Sequence, residues 1–323
     1  MAYDAALYDL DGVLYVAGDS VPHAADSVAA ARAFGLRAAF VTNNASRRPA
    51  TVARHLSELG IPATAADVVT SAQAAVRWLA ARLPAGSAVL VLGTDDLCDE
   101  VRAGGLRPVR SADEGPAAVL QGLSPDTGWR ELSEAALALR RGAMWVAGNA
   151  DATYPSPRGL LPGNGAMVAA LIAATGQRPV VVGKPEPELH REAVDRVGAE
   201  RPLVVGDRLD TDVLGAVRGG ADSLLVLTGV TGLDELLAAP RGSRPTFVSA
   251  DLRGLLRPQA PVTVDATLSM AACGIARAGL RDERVVVDGI GDDALRAVCA
   301  LAWRRADLSS GLAPTKTEHG PGR

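Results

Sequence analysis

Residues 8–15 read YDLDGVLY and follow the apolar run AAL at positions 5–7. An apolar run that ends in acidic residues and glycine is typical of a buried parallel strand. Side chains two positions apart on a strand point the same way, so Asp9 and Asp11 lie on one side. Two such carboxylates can share a divalent cation and still perform different chemistry, and Gly12 lets backbone amides approach an anion. Taken alone, an acidic pair before glycine is more often a solvated turn or a helix cap than a functional site.

Short apolar runs of the same kind recur along the chain, and helical patterns closed by Gly or Pro separate them. The runs are AALYD, RAAFVTNN, SAVLVLG, PAAVLQG, AMWVAGN, PVVVGK, RPLVVGD and SLLVLTG. Alternation of strand and helix predicts an α/β fold, a doubly wound parallel sheet with helices on both faces. Ligands bind at the carboxyl edge of such a sheet, so polar residues at the ends of these runs are candidate site residues.

The second candidate motif is FVTNN, where an apolar run ends on Thr42, Asn43 and Asn44. A hydroxyl and two carboxamides supply neutral hydrogen-bond donors for phosphoryl oxygens, and they add no charge that would compete for a metal. An N-cap for the helix that begins near Arg48 is the alternative interpretation.

The third motif is VVVGKP, in which Lys184 follows a β-branched run at a point where the chain must leave the sheet. A lysine in an exposed turn is usually solvated. At the same sheet edge as two aspartates, it can neutralise both the carboxylates and a substrate phosphate.

The fourth motif is GDRLDTD, with Asp207 at a strand end and Asp212 five residues later. Asp207 is placed to complete a magnesium site, because that ion prefers carboxylate oxygens and water. Asp212 is either a residue that supports the metal ligands or the N-cap of the helix that follows.

The four motifs are separated unevenly, and this spacing indicates the domain organisation. About 140 residues lie between the second and third motifs, and their strand-like runs end without comparable charged residues. We therefore predict a catalytic core made of residues 1–80 and 179–258, an inserted α/β cap at 81–178, and a C-terminal segment at 259–323.

In sequence order, DLDGV, TNN, GKP and GDRLDTD match the four motifs of haloacid dehalogenase superfamily phosphatases. The chain resembles their subclass IIA, which includes 4-nitrophenylphosphatase and phosphoglycolate phosphatase-like proteins with a large cap between the second and third motifs. The resemblance covers about residues 5–255 and implies a Rossmann-like core.

The resemblance also implies roles for the motif residues. Asp9 is the nucleophile, and Asp11 is the general acid and base. Thr42, Asn43 and Lys184 hold the phosphoryl group. Mg²⁺ binds Asp9, Asp207 and the backbone carbonyl of Asp11, which makes the expected enzyme a Mg²⁺-dependent phosphoric monoester hydrolase that forms an aspartyl-phosphate.

The predicted cap contains GNADATYPSPRGLLPGNG, which resembles the stretch by which the cap of this subclass returns to the core. Asn149, Asp151 and Asn164 are candidates for lining the pocket of the leaving group. A loop and a helix cap explain each of them equally well.

The expected substrate is a small phosphate ester, because a closing cap must enclose the leaving group. Polar groups and few aromatics favour a short polyol over a nucleobase, which needs a slot for stacking. Members of the subclass with an appended C-terminal segment resemble glycerol 3-phosphate phosphatases, so that ester is preferred. The alternatives are 2-phosphoglycolate, a nucleotide or a broad range of esters including 4-nitrophenyl phosphate. A phospho-accepting receiver-like switch is the non-enzymatic alternative, and the inserted cap argues against it.

The C-terminal segment contains VVVDGIGDDALRA, in which Gly289, Gly291 and Ala294 fit a dinucleotide fingerprint. A single match is a weak signal, and no complete βαβ unit has room to follow. The segment also resembles a truncated acetyltransferase-like domain that is too short for an acetyl-CoA site. The polar tail at 311–323 is expected to be disordered.

The composition restricts the partners. The chain has 323 residues, a formal net charge of −4 and 3% aromatics, which argues against nucleic-acid binding. Three cysteines without a CxxC pair suggest neither disulfides nor zinc. No signal peptide and no stretch of about 18 apolar residues is visible. We therefore expect a cytoplasmic protein with no membrane partner, and a homodimer is left open.

Overall fold

The computed structural model describes residues 2–156, 158–281 and 284–309. Its strands in chain order are β1 (Ala5–Tyr8), β2 (Tyr15–Val16), β3 (Asp19–Ser20), β4 (Arg37–Thr42), β5 (Val68–Thr70), β6 (Ala88–Leu92), β7 (Arg107–Val109), β8 (Ala118–Gln121), β9 (Met144–Ala147), β10 (Thr153–Ser156), β11 (Gly159–Pro162), β12 (Val180–Val181), β13 (Pro202–Gly206), β14 (Asp222–Val226), β15 (Phe247–Ser249), β16 (Val262–Val264), β17 (Met270–Cys273), β18 (Ala276–Arg281) and β19 (Arg284–Asp288). Its α-helices are α1 (Ala24–Ala33), α2 (Pro49–Glu58), α3 (Ser71–Ala80), α4 (Asp95–Ala103), α5 (Trp129–Arg140), α6 (Asn164–Thr175), α7 (Pro187–Val197), α8 (Leu214–Gly219), α9 (Leu233–Leu237) and α10 (Gly291–Ser309).

The first sheet is parallel throughout and has the order β15-β14-β13-β1-β4-β5. Alternate residues of β1 point to opposite faces, as a strand requires. Tyr8 packs with Val28 and Leu56 from α1 and α2, whereas Leu7 packs with Leu189 of α7. Helices therefore cover both faces, which confirms the predicted doubly wound α/β fold.

The second sheet is also parallel and has the order β12-β9-β8-β6-β7. Helices α5 and α6 cover one face, and α3 and α4 cover the other. The helix α3 is shared, because its Ala74 packs in the cluster of the first sheet while Leu79 packs in that of the second.

One strand lies in a different sheet from the one predicted. We expected the run before Lys184 to end at the edge of the first sheet, but β12 pairs with β9 in the second. The reason is that Val182 donates its backbone N–H to Ala147 at 3.1 Å and packs in the second sheet's cluster, which keeps the run on that side. The strand β12 lies at Val180–Val181, just beyond residue 178, where we predicted that the cap ends.

Two hairpins extend from these layers. The pair β2 and β3 follows the first motif, and the pair β10 and β11 interrupts the second sheet between β9 and α6. The first hairpin follows Asp11, and the second lies between Asp151 and Asn164.

The C-terminal segment forms the antiparallel sheet β16-β17-β18-β19 and the helix α10. The candidate dinucleotide fingerprint lies at the β19–α10 junction, where Asp292 binds the hydroxyl of Ser249 at 2.8 Å and the N–H of Ala250 at 2.9 Å. A carboxylate therefore occupies the start of the helix, which disfavours a bound pyrophosphate. The tail at 311–323 lies outside the described residues.

Candidate active site

The first motif follows β1, which lies between β13 and β4 in the first sheet. Asp9 follows β1 directly, and its N–H donates to the carbonyl of Val205 in β13 at 2.8 Å. Gly12 has φ +85°, and a Cβ there would lie 2.4 Å from Oδ2 of Asp207. Glycine is needed at this position both for the turn and for the close approach of the fourth motif.

Lys184 reaches this edge from the second sheet. Its ammonium contacts Oδ1 of Asp9 and donates to Oδ1 of Asp212 at 2.7 Å. The lysine is only 4% exposed. A buried ammonium is tolerated only with close carboxylates, and here it has two.

Asp207 is fully buried at the end of β13. Its Oδ2 accepts the N–H of Val230 at 2.6 Å, whereas its Oδ1 has no hydrogen-bond partner among the described residues. Glycine at position 229 lets the backbone come this close to Asp207, because a Cβ at that position would lie 2.0 Å from Oδ2 of Asp207.

The acidic residues converge on one point. Oxygens of Asp9, Asp207 and Asp212 all lie within 4.8 Å of one another. Three carboxylates and one ammonium give a charge of −3 + 1 = −2 when all are ionised, and one divalent cation would balance it. The unpartnered oxygen of Asp207 and the all-oxygen donor set both fit Mg²⁺.

Burial and the neighbouring charges shift the pKa of each ionisable group at this edge. Burial raises the pKa of Asp207 to about 7, and the nearby Asp212 contributes to the rise. Burial also raises the pKa of Asp9, although Lys184 acts in the opposite direction. Burial lowers the pKa of Lys184, but Asp212 and Asp9 more than compensate and raise it above its ordinary value. A bound cation would favour the ionised carboxylates.

Asp11 lies at the mouth of the site, where its side chain is exposed. The surrounding protein still raises its pKa through desolvation, and Lys184 and Arg47 oppose that rise. Gly12 donates its N–H to the carbonyl of Tyr15 at 2.8 Å, which folds the following turn back beside this carboxyl. A carboxyl group with a raised pKa keeps its proton closer to neutral pH, so it is available as a general acid.

Asp212 lies in the wide helical turn Leu209–Val213, and α8 begins without a side-chain cap. Its Oδ2 accepts the N–H of Arg208 at 3.2 Å, while Oδ1 holds Lys184. Of the two interpretations that the sequence left open, the contacts favour support of the site over a helix cap.

The second motif contributes less directly to the site than its sequence indicated. The carboxamide of Asn43 accepts the N–H of Lys184 at 2.7 Å and donates to its carbonyl at 3.0 Å. Asn44 accepts from the N–H and hydroxyl of Ser46, both at 2.7 Å, and donates its N–H to Thr42 Oγ1 at 3.1 Å. In this structure Asn43 holds the loop of Lys184, and Asn44 holds a local turn.

The three candidate residues after β9 divide into two groups. Asn149 and Asn164 are buried and bind backbone, since Asn149 donates to the carbonyl of Asn43 at 2.8 Å and Asn164 to that of Asn149 at 2.7 Å. Asp151 instead lines an open cleft, and burial raises its pKa. Of the three, only Asp151 is placed to meet a ligand there.

That cleft has a volume of about 360 Å³ and lies between the two sheets. Besides Asp151 it is lined by Lys184, Arg208 and Asp210. Arg208 and Asp210 form two hydrogen bonds, of 2.9 and 2.8 Å. Neither residue was identified as a candidate from the sequence. The available signal was that both lie within GDRLDTD, between the candidates Asp207 and Asp212.

Family models match both halves of this site. A haloacid dehalogenase-like hydrolase model matches residues 6–107, and a second haloacid dehalogenase (HAD) hydrolase-like model matches 181–255. The chain belongs to the haloacid dehalogenase-like hydrolases. Together the two matches include the strands and turns that carry Asp9, Lys184 and Asp207.

Curated relatives of this HAD chain are phosphatases. The D-glycerol 3-phosphate phosphatase of Mycobacterium tuberculosis is 48% identical over 316 residues, which cover 95% of this chain and 88% of that protein. The acid sugar phosphatase of Staphylococcus saprophyticus is 35% identical over 257 residues, 79% of this chain and 97% of its own length. The chain is a phosphoric monoester hydrolase.

Solved structures agree with this assignment. The M. tuberculosis glycerol phosphate phosphatase in complex with magnesium has a TM-score of 0.83 and 47% identity, and covers 94% of this chain and 90% of that one. A p-nitrophenyl phosphatase from Archaeoglobus fulgidus has a TM-score of 0.73 and 30% identity, and covers 79% and 98%. These relatives favour hydrolysis over the receiver-like alternative. No helix within 2–156, 158–281 or 284–309 is long and apolar enough to cross a membrane.

Proposed function

We propose that this HAD phosphatase is Mg²⁺-dependent, uses Asp9 as its nucleophile and acts on glycerol 3-phosphate. One observation carries the chemistry: the contact of Lys184 with Asp9 beside the unpartnered oxygen of Asp207. The family and the named relatives support the choice of reaction, and the relatives also support the choice of substrate.

In the first step an oxygen of Asp9 attacks phosphorus, and the bond from phosphorus to the ester oxygen breaks. Asp11 gives a proton to the departing alkoxide, and its raised pKa favours the protonated form that this step needs. Lys184 stays beside Asp9 and offsets the repulsion between a carboxylate and a phosphate dianion.

In the second step water attacks the phosphorus of the aspartyl-phosphate on Asp9. Asp11, now ionised, takes the proton of that water, and the bond between Asp9 and phosphorus breaks. Inorganic phosphate and free Asp9 result, and Asp11 is again protonated for the next cycle.

Asp9, Asp207 and the backbone carbonyl of Asp11 would hold the magnesium ion, with Asp212 as a neighbouring carboxylate that supports them. When bound, Mg²⁺ supplies positive charge against the phosphoryl oxygens. Thr42 and Asn43 are proposed as donors to the phosphoryl group. For Asn43 this requires that its amide exchange or share the bonds it makes to Lys184.

The proposed substrate agrees with the cleft. Asp151, Arg208 and Asp210 line it with hydrogen-bonding groups, and no aromatic side chain is among its lining residues in the described chain. Such a surface binds hydroxyl groups better than a nucleobase, which needs a stacking partner. Glycerol 3-phosphate therefore fits better than a nucleotide, and 2-phosphoglycolate is the second candidate.

The test is phosphate release from a panel of esters with and without Mg²⁺. We expect kcat/KM for glycerol 3-phosphate to exceed that for nucleoside monophosphates by at least tenfold, or about 1.4 kcal/mol. Activity should vanish after chelation and return with Mg²⁺. Calcium should inhibit, because its higher coordination number invites both oxygens of Asp9 to bind it. A tenfold preference for nucleotides would overturn the substrate, and full activity after chelation would overturn the metal site.

A cytoplasmic location and the absence of nucleic-acid and membrane partners remain predictions from composition, and a homodimer remains open. Gel filtration with light scattering would measure the oligomeric state.

A further inference from the structure

The C-terminal sheet is covered on one face by α10. This helix packs against β16, β17 and β18 on one side, and against β15 and α9 of the core on the other. Near its end Asp307 binds Arg241 at 3.0 Å and Arg244 at 2.9 Å. The sheet is therefore held to the core through α10, and its outer strand lies away from this attachment.

That outer strand is β19, which pairs with β18 and with no other strand among the described residues. Val285 and Val287 lie opposite Leu280 and Ala278 of β18, and Ala278 is fully buried on the face that packs against α10. The two valines are still 44% and 42% exposed, so the helix leaves this edge uncovered. Val286 points to the opposite face and is 47% exposed.

An exposed edge strand of this kind is unusual in this protein. Edge strands present unpaired backbone N–H and C=O groups, and proteins usually keep them short, interrupt them with proline, charge them or cover them. In the described part of the chain, the other edges of the three large sheets have two or three residues each, and β7 contains Pro108. By contrast β19 has five residues, of which three consecutive ones are half-exposed valines. Its outer side therefore offers a template for a further strand.

The sequence of β19 indicates that this further strand is β19 of a second copy. It reads RVVVD, with opposite charges at Arg284 and Asp288. In an antiparallel pair centred on Val286, the position of Asp288 lies opposite that of Arg284 in the second copy, and the valines lie opposite valines. Asp288 is exposed and has no ion pair among the described residues, so its charge is available. Opposite charges across a strand pair stabilise it, and like charges destabilise it.

Only one register matches the two strands along their whole length. Residues directly opposite each other in an antiparallel pair share a face, so the two-fold axis passes beside one residue of β19. A centre at Val287 would place Asp288 opposite Val286, and a centre at Val285 would take Asp288 past the end of the second strand. With the centre at Val286, Val285 and Val287 of the two copies meet on the side of α10, where each removes apolar surface of the other from water.

We propose that β19 is a homodimer interface, at which the C-terminal sheets of two copies pair antiparallel about Val286. The result is one continuous sheet with four strands from each copy. Main-chain hydrogen bonds supply affinity, and the valines and the end charges set the register. The proposal does not depend on the proposed phosphatase mechanism, because β19 carries no residue of the site. It assigns the C-terminal segment a part in assembly.

The first test measures the dissociation constant of the full-length dimer by sedimentation. Val286→Lys places two ammonium groups opposite each other at the axis, so we expect the dissociation constant to rise at least about tenfold, or 1.4 kcal/mol. Val286→Thr is the matched control, because it keeps the branched shape that a strand favours and should leave the constant within about twofold. Circular dichroism checks the fold, and kcat/KM of both variants should stay within about twofold of wild type.

The second test locates the interface by crosslinking. Val286→Cys brings two thiols together across the axis, with Cβ atoms about 5 Å apart, so a short bismaleimide should join the two copies. The native Cys98, Cys273 and Cys299 are buried and should not react. Val217→Cys is the control, because Val217 is 45% exposed on α8 of the core. We expect a covalent dimer on a denaturing gel from Val286→Cys and at least about tenfold less from the control.

A wild-type protein that sediments as a monomer at every concentration would overturn the proposal. A dimer that Val286→Lys leaves intact would also overturn it, and so would a Val286→Cys protein that crosslinks no better than Val217→Cys. If Val286→Lys fails to fold, the crosslinking decides.

Discussion

The two sides of the cleft are built differently. On the side of the first sheet, Asp9, Asp207 and Asp212 are charged groups in close contact, and Lys184 supplies only part of the balancing charge. On the side of the second sheet, Asn149 and Asn164 are neutral and bind backbone carbonyls. The first side gathers negative charge that a divalent cation would balance, whereas the second is built from neutral amides. Chemistry is therefore assigned to the first side and the shape of the pocket to the second.

The largest effect should come from the nucleophile. Asp9→Asn keeps the shape of the side chain but cannot attack phosphorus, so turnover should fall more than about 1,000-fold. Steady-state phosphate release measures it, with circular dichroism as the check on folding. Asp26→Asn, an exposed position at the start of α1, should leave activity within twofold. A variant that retains a tenth of wild-type activity would remove Asp9 from its role.

Loss of Lys184 should harm both activity and stability. Lys184→Met leaves the buried carboxylates without their ammonium, and breaking a buried pair costs about 3–5 kcal/mol. We expect a lower melting temperature and at least about a hundredfold lower kcat/KM. Lys184→Arg is the matched variant, because it keeps the charge and should recover part of the stability. Equal melting temperatures for Lys184→Met and wild type would show that the ion pair is not formed in solution.

A smaller and more selective effect is expected across the cleft. Asp151→Ala removes a hydrogen-bonding group from the pocket but touches no reacting atom, so KM for glycerol 3-phosphate should rise about tenfold, or 1.4 kcal/mol. The kcat for 4-nitrophenyl phosphate, whose leaving group makes no such bonds, should stay unchanged. Asp126→Asn, exposed in the loop before α5, serves as the control. An equal loss with both substrates would mean that Asp151 takes part in the chemistry.

The smallest effect concerns the attachment of α10 and its dependence on pH. The hydrogen bond from Arg244, with help from Arg241, holds the pKa of Asp307 below its ordinary value. Its contribution to stability is present above the ordinary carboxyl pKa, near 4, and is lost as the pH falls through the lower folded value. The protection of α10 amides against hydrogen exchange, taken relative to the intrinsic exchange rate at each pH, should therefore fall at the acid end of the range from pH 6 to 3. Asp307→Asn should flatten that dependence, and an identical profile in the variant would contradict the assignment.

Much of the architecture follows from local pattern. Apolar runs ending in Asp9, Thr42 and Asp207 predicted three strands that do lie side by side in one sheet, since β4, β1 and β13 are neighbours. The reason is that burial on both faces demands continuous apolar strands, and the carboxyl ends of parallel strands meet at one edge. Both the identity of the candidate residues in the first and fourth motifs and their position at one edge of the sheet were therefore predictable.

Other features depended on contacts between residues far apart in the chain. The two valines of β12 are compatible with either sheet, and only pairing with β9 placed the approach to Lys184 in the second. Asn43 could bind a phosphate or a backbone from its sequence alone, and its partner lies 141 positions away. The burial of Cys299 in one cluster with Leu225 and Val248 of the first sheet was likewise not predictable, because an apolar residue on a helix does not specify which surface it will cover. The sequence by itself determined the strands, the order of the four motifs along the chain and the acidic residues at the strand ends, since these features are local in the sequence. The tertiary structure decided which sheet carries the lysine, which amides bind backbone and where the C-terminal helix packs, since those are settled by packing between distant segments.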